Sequence, residues 1–141
     1  MSEAAIANRL DRSVDDTIDH TLGPERAQIT LVEYGSYACP YCRAANERIV
    51  EVRDQLGERL RYVFRHRPLT GSDIALRAAA LVERAVTAEQ FWDAHVKLMT
   101  RSQGLTEEDL EAVARDLGLA DLDPAHSAEA AERASARVEA D

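Results

Sequence analysis

Cys39 and Cys42 stand three positions apart and are the only cysteines in the 141-residue chain. A pair this close closes a very small loop, and small loops gain little from closure entropy. The pair therefore points to chemistry rather than to stapling. A Cys39 thiolate could attack a disulfide, and Cys42 could then resolve the mixed disulfide formed at Cys39. The segment Ser36-Tyr37-Ala38-Cys39-Pro40-Tyr41-Cys42 follows a strand-like run and opens a helix-like one. That context turns a common CxxC into a redox motif. At a helix start, the Cys39 sulfur would meet unsatisfied backbone N–H groups and the positive end of the helix dipole. Both favour the thiolate, which is the nucleophile. Pro40 fits the first helical turn, where its missing N–H costs nothing.

Other residues could take part. Glu33 lies six positions before Cys39, inside an apolar run. Half-buried beneath the cysteines, its pKa would rise and it could accept the proton of Cys42. A solvated, edge-facing Glu33 is the alternative. Tyr37 and Tyr41 flank the sulfurs and could offer clients an apolar surface together with Pro40; plain surface aromatics are the alternative. A zinc half-site would need further ligands from His20, His66, His95, His126 or carboxylates. None of these forms a second close pair in the sequence, so no metal site is expected. His66 reads as structural, and Trp92 and His95 read as packing residues beside Phe91.

The elements that must hold these residues follow from periodicity. Ile6, Leu10, Val14 and Ile18 are four apart, which predicts a helix over Ala4 to Ile18. Gly23-Pro24 breaks the chain. Gln28 to Gly35 is β-branched and aromatic with little alternation, as suits a strand covered on both faces. Ala44, Ala45, Ile49, Val52 and Leu56 keep a helical period that Gly57 can end. Arg59 to Arg65 alternates with period two and predicts a second strand. Strand, helix and strand at this spacing form a βαβ unit with parallel strands.

From Ser72 onward the pattern is helical. Ile74, Ala75, Ala78, Ala79 and Val82 share one face. Thr87 with Gln90 and Thr106 with Asp109 have capping-box form, and Val86 with Phe91 could staple the first of these. Leu110, Val113, Ala114 and Leu117 form a stripe that Gly118 stops. Asp123 before Pro124 reads as a cap for a last helix toward Val138. The expected tally is two strands, few for a stable sheet.

Bulk properties narrow the function. The formal net charge of −9 argues against nucleic acid and against an anionic membrane surface. With 45% hydrophobic residues a packed core is expected rather than disorder. No apolar run approaches the roughly 20 residues a bilayer span needs. Met1 to Leu10 carries acidic Glu3 and no basic region before an apolar stretch, so it does not read as a secretory signal. The expected location is cytoplasmic, or periplasmic if a leader has been removed.

Leu31-Val32-Glu33-Tyr34-Gly35 through Cys39-Pro40-Tyr41-Cys42 resembles the DsbA-like branch of the thioredoxin superfamily. So do Tyr62 to Leu69 and Phe91-Trp92-Asp93-Ala94-His95. The likeness is strongest to the thioredoxin-like domain fused to some bacterial sodium/proton antiporters, and runs from about Asp19 onward. The resemblance implies an α/β, thioredoxin-like fold of DsbA type: a βαβ unit with a helical insertion, truncated before the C-terminal β-hairpin. The implied division is an N-terminal helix and linker over 1–22 and an incomplete thioredoxin-like domain over 23–141. Its βαβ unit covers 28–66 and its helical part 71–140.

The family's attacking cysteine maps onto Cys39, its resolving cysteine onto Cys42 and its buried acid onto Glu33. Its strongest oxidants carry a histidine where this chain has Tyr41, which implies a milder potential of roughly −200 mV. The family's cis-proline has no counterpart among Pro24, Pro40, Pro68 and Pro124. The expected function is thiol-disulfide exchange without an organic cofactor, on a protein or small thiol/disulfide client. The alternatives are a non-catalytic interaction or dimerisation domain and a metal- or cluster-binding dimer through the two cysteines. The missing hairpin leaves the Gln28–Gly35 edge open, so a homodimer is expected. The chain could also serve as a domain of a membrane transporter.

Overall fold

The computed structural model describes residues 10, 12–68, 71–119 and 124–141. Three strands form one small sheet: β1 (His20–Leu22), β2 (Ile29–Gly35) and β3 (Leu60–His66), in the order β1-β3-β2. Helix α1 (Pro40–Leu56) links β2 to β3 through a 3-10 turn at Gly57–Arg59. The pairing of β2 with β3 is parallel from Ile29↔Leu60 to Gly35↔His66, as the βαβ spacing predicts. Four helices follow: α2 (Asp73–Val82), α3 (Ala88–Thr100), α4 (Glu107–Asp116) and α5 (Pro124–Ala140).

Strand β1 is absent from the sequence expectation. It pairs antiparallel with β3, His20 opposite Phe64 and Leu22 opposite Tyr62. Three residues are too few to show a period, and this strand exists because tertiary contacts anchor it. Asp19, just before it, grips the Arg65 guanidinium with both carboxylate oxygens, at 2.9 and 3.0 Å. Both side chains are fully buried. The turn leaving β1 needs Gly23, whose φ is +94° and where a Cβ would lie 2.3 Å from the Leu60 carbonyl oxygen.

The helix expected over Ala4 to Ile18 is corrected over its later part; residues 1–9 and 11 lie outside the described residues. Residues 12–19 are not helical, and only 16–18 form a turn. The Asp15 carboxylate accepts from the Thr17 backbone and hydroxyl, a local bond that competes with helix formation. Leu10 and Ile18 are 42% and 45% exposed, so they form no core stripe.

The two long strands exchange their expected roles. Strand β3, whose sequence alternates, is covered on both faces and buries every residue but Arg61. Strand β2, whose sequence is the more apolar, is an edge strand among the described residues and is only half-buried. The two buried polar positions of β3 have partners: Arg65 has Asp19 and His66 has Glu83.

The core joins Tyr62 and Phe64 of β3 to Ala78 and Val82 of α2, Phe91, Leu98 and Met99 of α3, and Leu110 and Val113 of α4. Ser72 caps α2, and capping boxes at Thr87/Gln90 and Thr106/Asp109 open α3 and α4 as expected. The expected staple at the start of α3 does not form, because Val86 is 87% exposed. Asp123, read as a cap, lies outside the described residues. Helix α1 has no buried residue; Cys42 and Ile49 only touch the core.

Candidate dithiol site

The site stands where β2 ends and α1 begins. Cys39 is the N-cap of α1, in extended backbone, with Pro40 at the first helical position. Its backbone N–H donates to the Ser102 carbonyl at 3.0 Å, which ties the helix start to the end of α3. Ser102 is buried, and its hydroxyl donates to the Met99 carbonyl at 2.8 Å. Sequence reasoning missed this support, since nothing in the spacing couples residues so far apart.

Both cysteines are free thiols. Burial pushes the Cys39 thiol up. Hydrogen bonds to its sulfur from the Cys42 thiol and from the Tyr41 and Cys42 backbone outweigh burial and bring it below its ordinary value. Cys42 moves the other way. Burial, its hydrogen bond to Cys39 and the negative charge there raise it to about 11. This is the division of labour that a low-pKa nucleophile and a protonated partner require.

Glu33 is half-buried on β2. Burial raises its pKa, and a hydrogen bond donated by the Tyr62 hydroxyl to Oε1 at 2.5 Å opposes that rise. The Glu33 charge bears on both thiols, raising each. The side chain of Tyr62 is itself core, and burial pushes its own ionisation far up, so it remains a donor.

The flanking aromatics separate. Tyr41 is 82% exposed beside the cysteines, and Pro40 is also exposed. Tyr37 is fully buried, which corrects its reading as a client-facing surface. Its hydroxyl pairs with His95 Nδ1 at 2.8 Å, inside the core. Burial, first, and the charges of His66 and His20 hold His95 down to about 3, so it is neutral. Phe91 and His95 are buried as expected, and Trp92 lies at the core margin. His20 and His66, which form no pair in the sequence, converge on Glu83. His126 lies outside the described side chains.

No helix among the described residues is long and apolar enough to cross a membrane. The chain is 57% identical over 134 residues to an Na(+)/H(+) antiporter NhaA of Nitrosospira multiformis. That match covers 95% of this chain and 22% of the antiporter, so the chain spans about a fifth of the relative's length. Solved structures share the fold at low identity. Wolbachia pipientis alpha-DsbA1 superposes with a TM-score of 0.66 at 20% identity, covering 86% of this chain and 64% of that one. Oxidised BdbD from Bacillus subtilis gives 0.67 at 22% identity, covering 89% and 73%. With the thioredoxin family profile matched over residues 15–141, the chain belongs to the thioredoxin family, and its fold is thioredoxin-like with DsbA-like neighbours.

Proposed function

We propose that the chain is a dithiol–disulfide exchange module working through Cys39 and Cys42. The observation that carries this reading is the Cys39 sulfur at the N-cap of α1, receiving hydrogen bonds from the Tyr41 and Cys42 backbone. In the reducing direction the Cys39 thiolate attacks one sulfur of a client disulfide. The client's S–S bond breaks, its other sulfur leaves as a thiolate, and a mixed disulfide forms. Cys42 then gives its proton to the Glu33 carboxylate and attacks the Cys39 sulfur. The client leaves with both sulfurs reduced, and the two electrons it gains come from the Cys39 and Cys42 thiols, which are oxidised to the Cys39–Cys42 disulfide. The oxidising direction is the reverse. Tyr41 and Pro40, exposed beside the sulfurs, are the client-facing groups.

The identity to a stretch of an antiporter supports a module that works attached to, or alongside, a membrane transporter. A second reading, an interaction or dimerisation domain, draws on a different observation: β2 has an open edge among the described residues and no residue of α1 is fully buried. Equilibration against glutathione buffers separates the two. The dithiol reading expects a reversible two-electron couple near −200 mV. Absence of any reversible couple would favour the interaction domain. A value near −120 mV would overturn the role given to Tyr41, since Tyr41 supplies no cation beside the thiolate.

A further inference from the structure

A second cluster lies across the sheet from the chemistry described so far. His20 on β1, His66 at the end of β3 and Glu83 just after α2 each offer one ligand atom, and these atoms all lie within 4.8 Å of one another. His20 Nε2 is 2.5 Å from Glu83 Oε2, and His66 Nε2 is 2.8 Å from the same oxygen. We propose that His20, His66 and Glu83 form a binding site for a zinc-class divalent cation, with its fourth position open to solvent.

The donor set suits that class of ion. Two imidazole nitrogens and one carboxylate oxygen are what zinc takes when a fourth position is left to water. Calcium and magnesium prefer all-oxygen cages. The site is also held in advance. The His20 ring stacks on Phe91 at 3.5 Å between centroids, only 7° from parallel. The His66 ring meets Phe64 edge-on at 5.3 Å, and the His66 backbone N–H is held by Asp141 Oδ2 at 3.0 Å.

The two oxygens of Glu83 divide their work. Oε1 faces Arg137 at 3.8 Å, and Arg137 is in turn met by Asp141 at 3.7 Å. Oε2 is left to the imidazoles. Burial pushes Glu83 up, but the hydrogen bonds from His20 and His66 pull it down to about 2, so the carboxylate is ionised. The side chains of His66 and Glu83 are 0% and 6% exposed, whereas that of His20 is 22% exposed. The ion would therefore enter on the His20 side. Binding requires Glu83 Oε2 to part from His20 Nε2 by about 0.9 Å and from His66 Nε2 by about 0.6 Å, since ligand atoms about 2.1 Å from a tetrahedral zinc lie about 3.4 Å apart. His66 Nδ1 is buried without a hydrogen-bond partner. The outer bond that usually orients a metal-binding histidine is missing, so affinity should fall below that of fully braced sites.

The test uses the full chain carrying Cys39→Ser and Cys42→Ser, so that thiols contribute nothing and the outcome is independent of the dithiol reading. Zinc is titrated by calorimetry and cobalt by visible absorption. The expected result is one equivalent of zinc bound, and a cobalt spectrum with the intense visible bands of a tetrahedral nitrogen/oxygen site. His20→Gln, at the exposed corner, should weaken zinc binding by about tenfold or more. Glu83→Gln should do the same. Absence of stoichiometric binding in the cysteine-free chain would overturn the proposal. So would binding that His20→Gln and Glu83→Gln both leave unchanged, which would mark an adventitious surface ion.

Discussion

Asp19→Asn is the sharpest probe of how the sheet is held. In the folded chain Asp19 accepts from Arg65 Nε and Nη2 at 2.9 and 3.0 Å, from Arg12 at 3.1 Å and from the Asp15 backbone at 2.9 Å. Arg65 is wholly buried, with Tyr34 and the Arg12 and Ser13 carbonyls as its other partners. An asparagine keeps the shape but turns an NH2 group toward a guanidinium N–H and leaves a buried cation without its anion. Breaking a buried pair in this way costs about 3–5 kcal/mol. For a chain of this length that lowers Tm by about 10–15 °C.

The pH dependence gives an independent check. Burial pushes Asp19 up, but the Arg65 hydrogen bonds and the Asp15 N–H bring it down to about 2. An unfolded aspartate titrates near 3.9. A depressed folded pKa stabilises above the unfolded value, and the contribution is lost as pH falls from about 5 to 2. It amounts to about 2.5 kcal/mol. Asp19→Asn lacks this contribution, so the gap between the two proteins should narrow by that amount over the same window. Urea denaturation followed by circular dichroism at pH 7, 5, 4 and 3 measures it. A cost below about 1 kcal/mol at pH 7, or curves that stay parallel down to pH 3, would refute the anchoring role of this pair.

Two more perturbations bear on the site. Tyr62→Phe removes the hydroxyl whose hydrogen bond opposes the burial-driven rise of Glu33. Glu33 should move further up, and resolution by Cys42, followed by stopped-flow with a small disulfide, should slow by about tenfold near pH 7. Its pH profile should shift to the alkaline side; an unmoved profile would remove Glu33 as proton acceptor. The open β2 edge, with Ile29 at 47% exposure, is expected to be covered by a second copy of the chain. Sedimentation at high concentration should then give the mass of two chains, and a strictly single-chain mass would count against the homodimer.

The βαβ unit was legible because its signals are local. The β-branched and aromatic run of residues 28–35, the period of 59–65, the breaker at Gly57 and the capping boxes each lie within a few positions. What was not legible depends on distant partners. Strand β1 has only three residues and forms because Asp19 meets Arg65, 46 positions away. Among the described residues the helical spacing of Leu10, Val14 and Ile18 misled because Asp15 turns the chain locally and no core lies beneath Ile18. Tyr37 looked like a surface aromatic beside the cysteines, yet its ring is fully buried and its hydroxyl has a buried partner in His95. The cysteine pair was legible because three-residue spacing at a strand–helix junction is itself the signal. The His20–His66–Glu83 cluster has no spacing at all and arises only when β1 pairs with β3.

The pH dependence of Cys39 alkylation, measured with Cys42→Ser as background, tests the dithiol site most directly. The helix start and its backbone N–H groups should place the Cys39 thiol below the free-cysteine value of about 8.5. A thiol titrating at or above that value would be unactivated, and would contradict the assignment of Cys39 as the attacking sulfur.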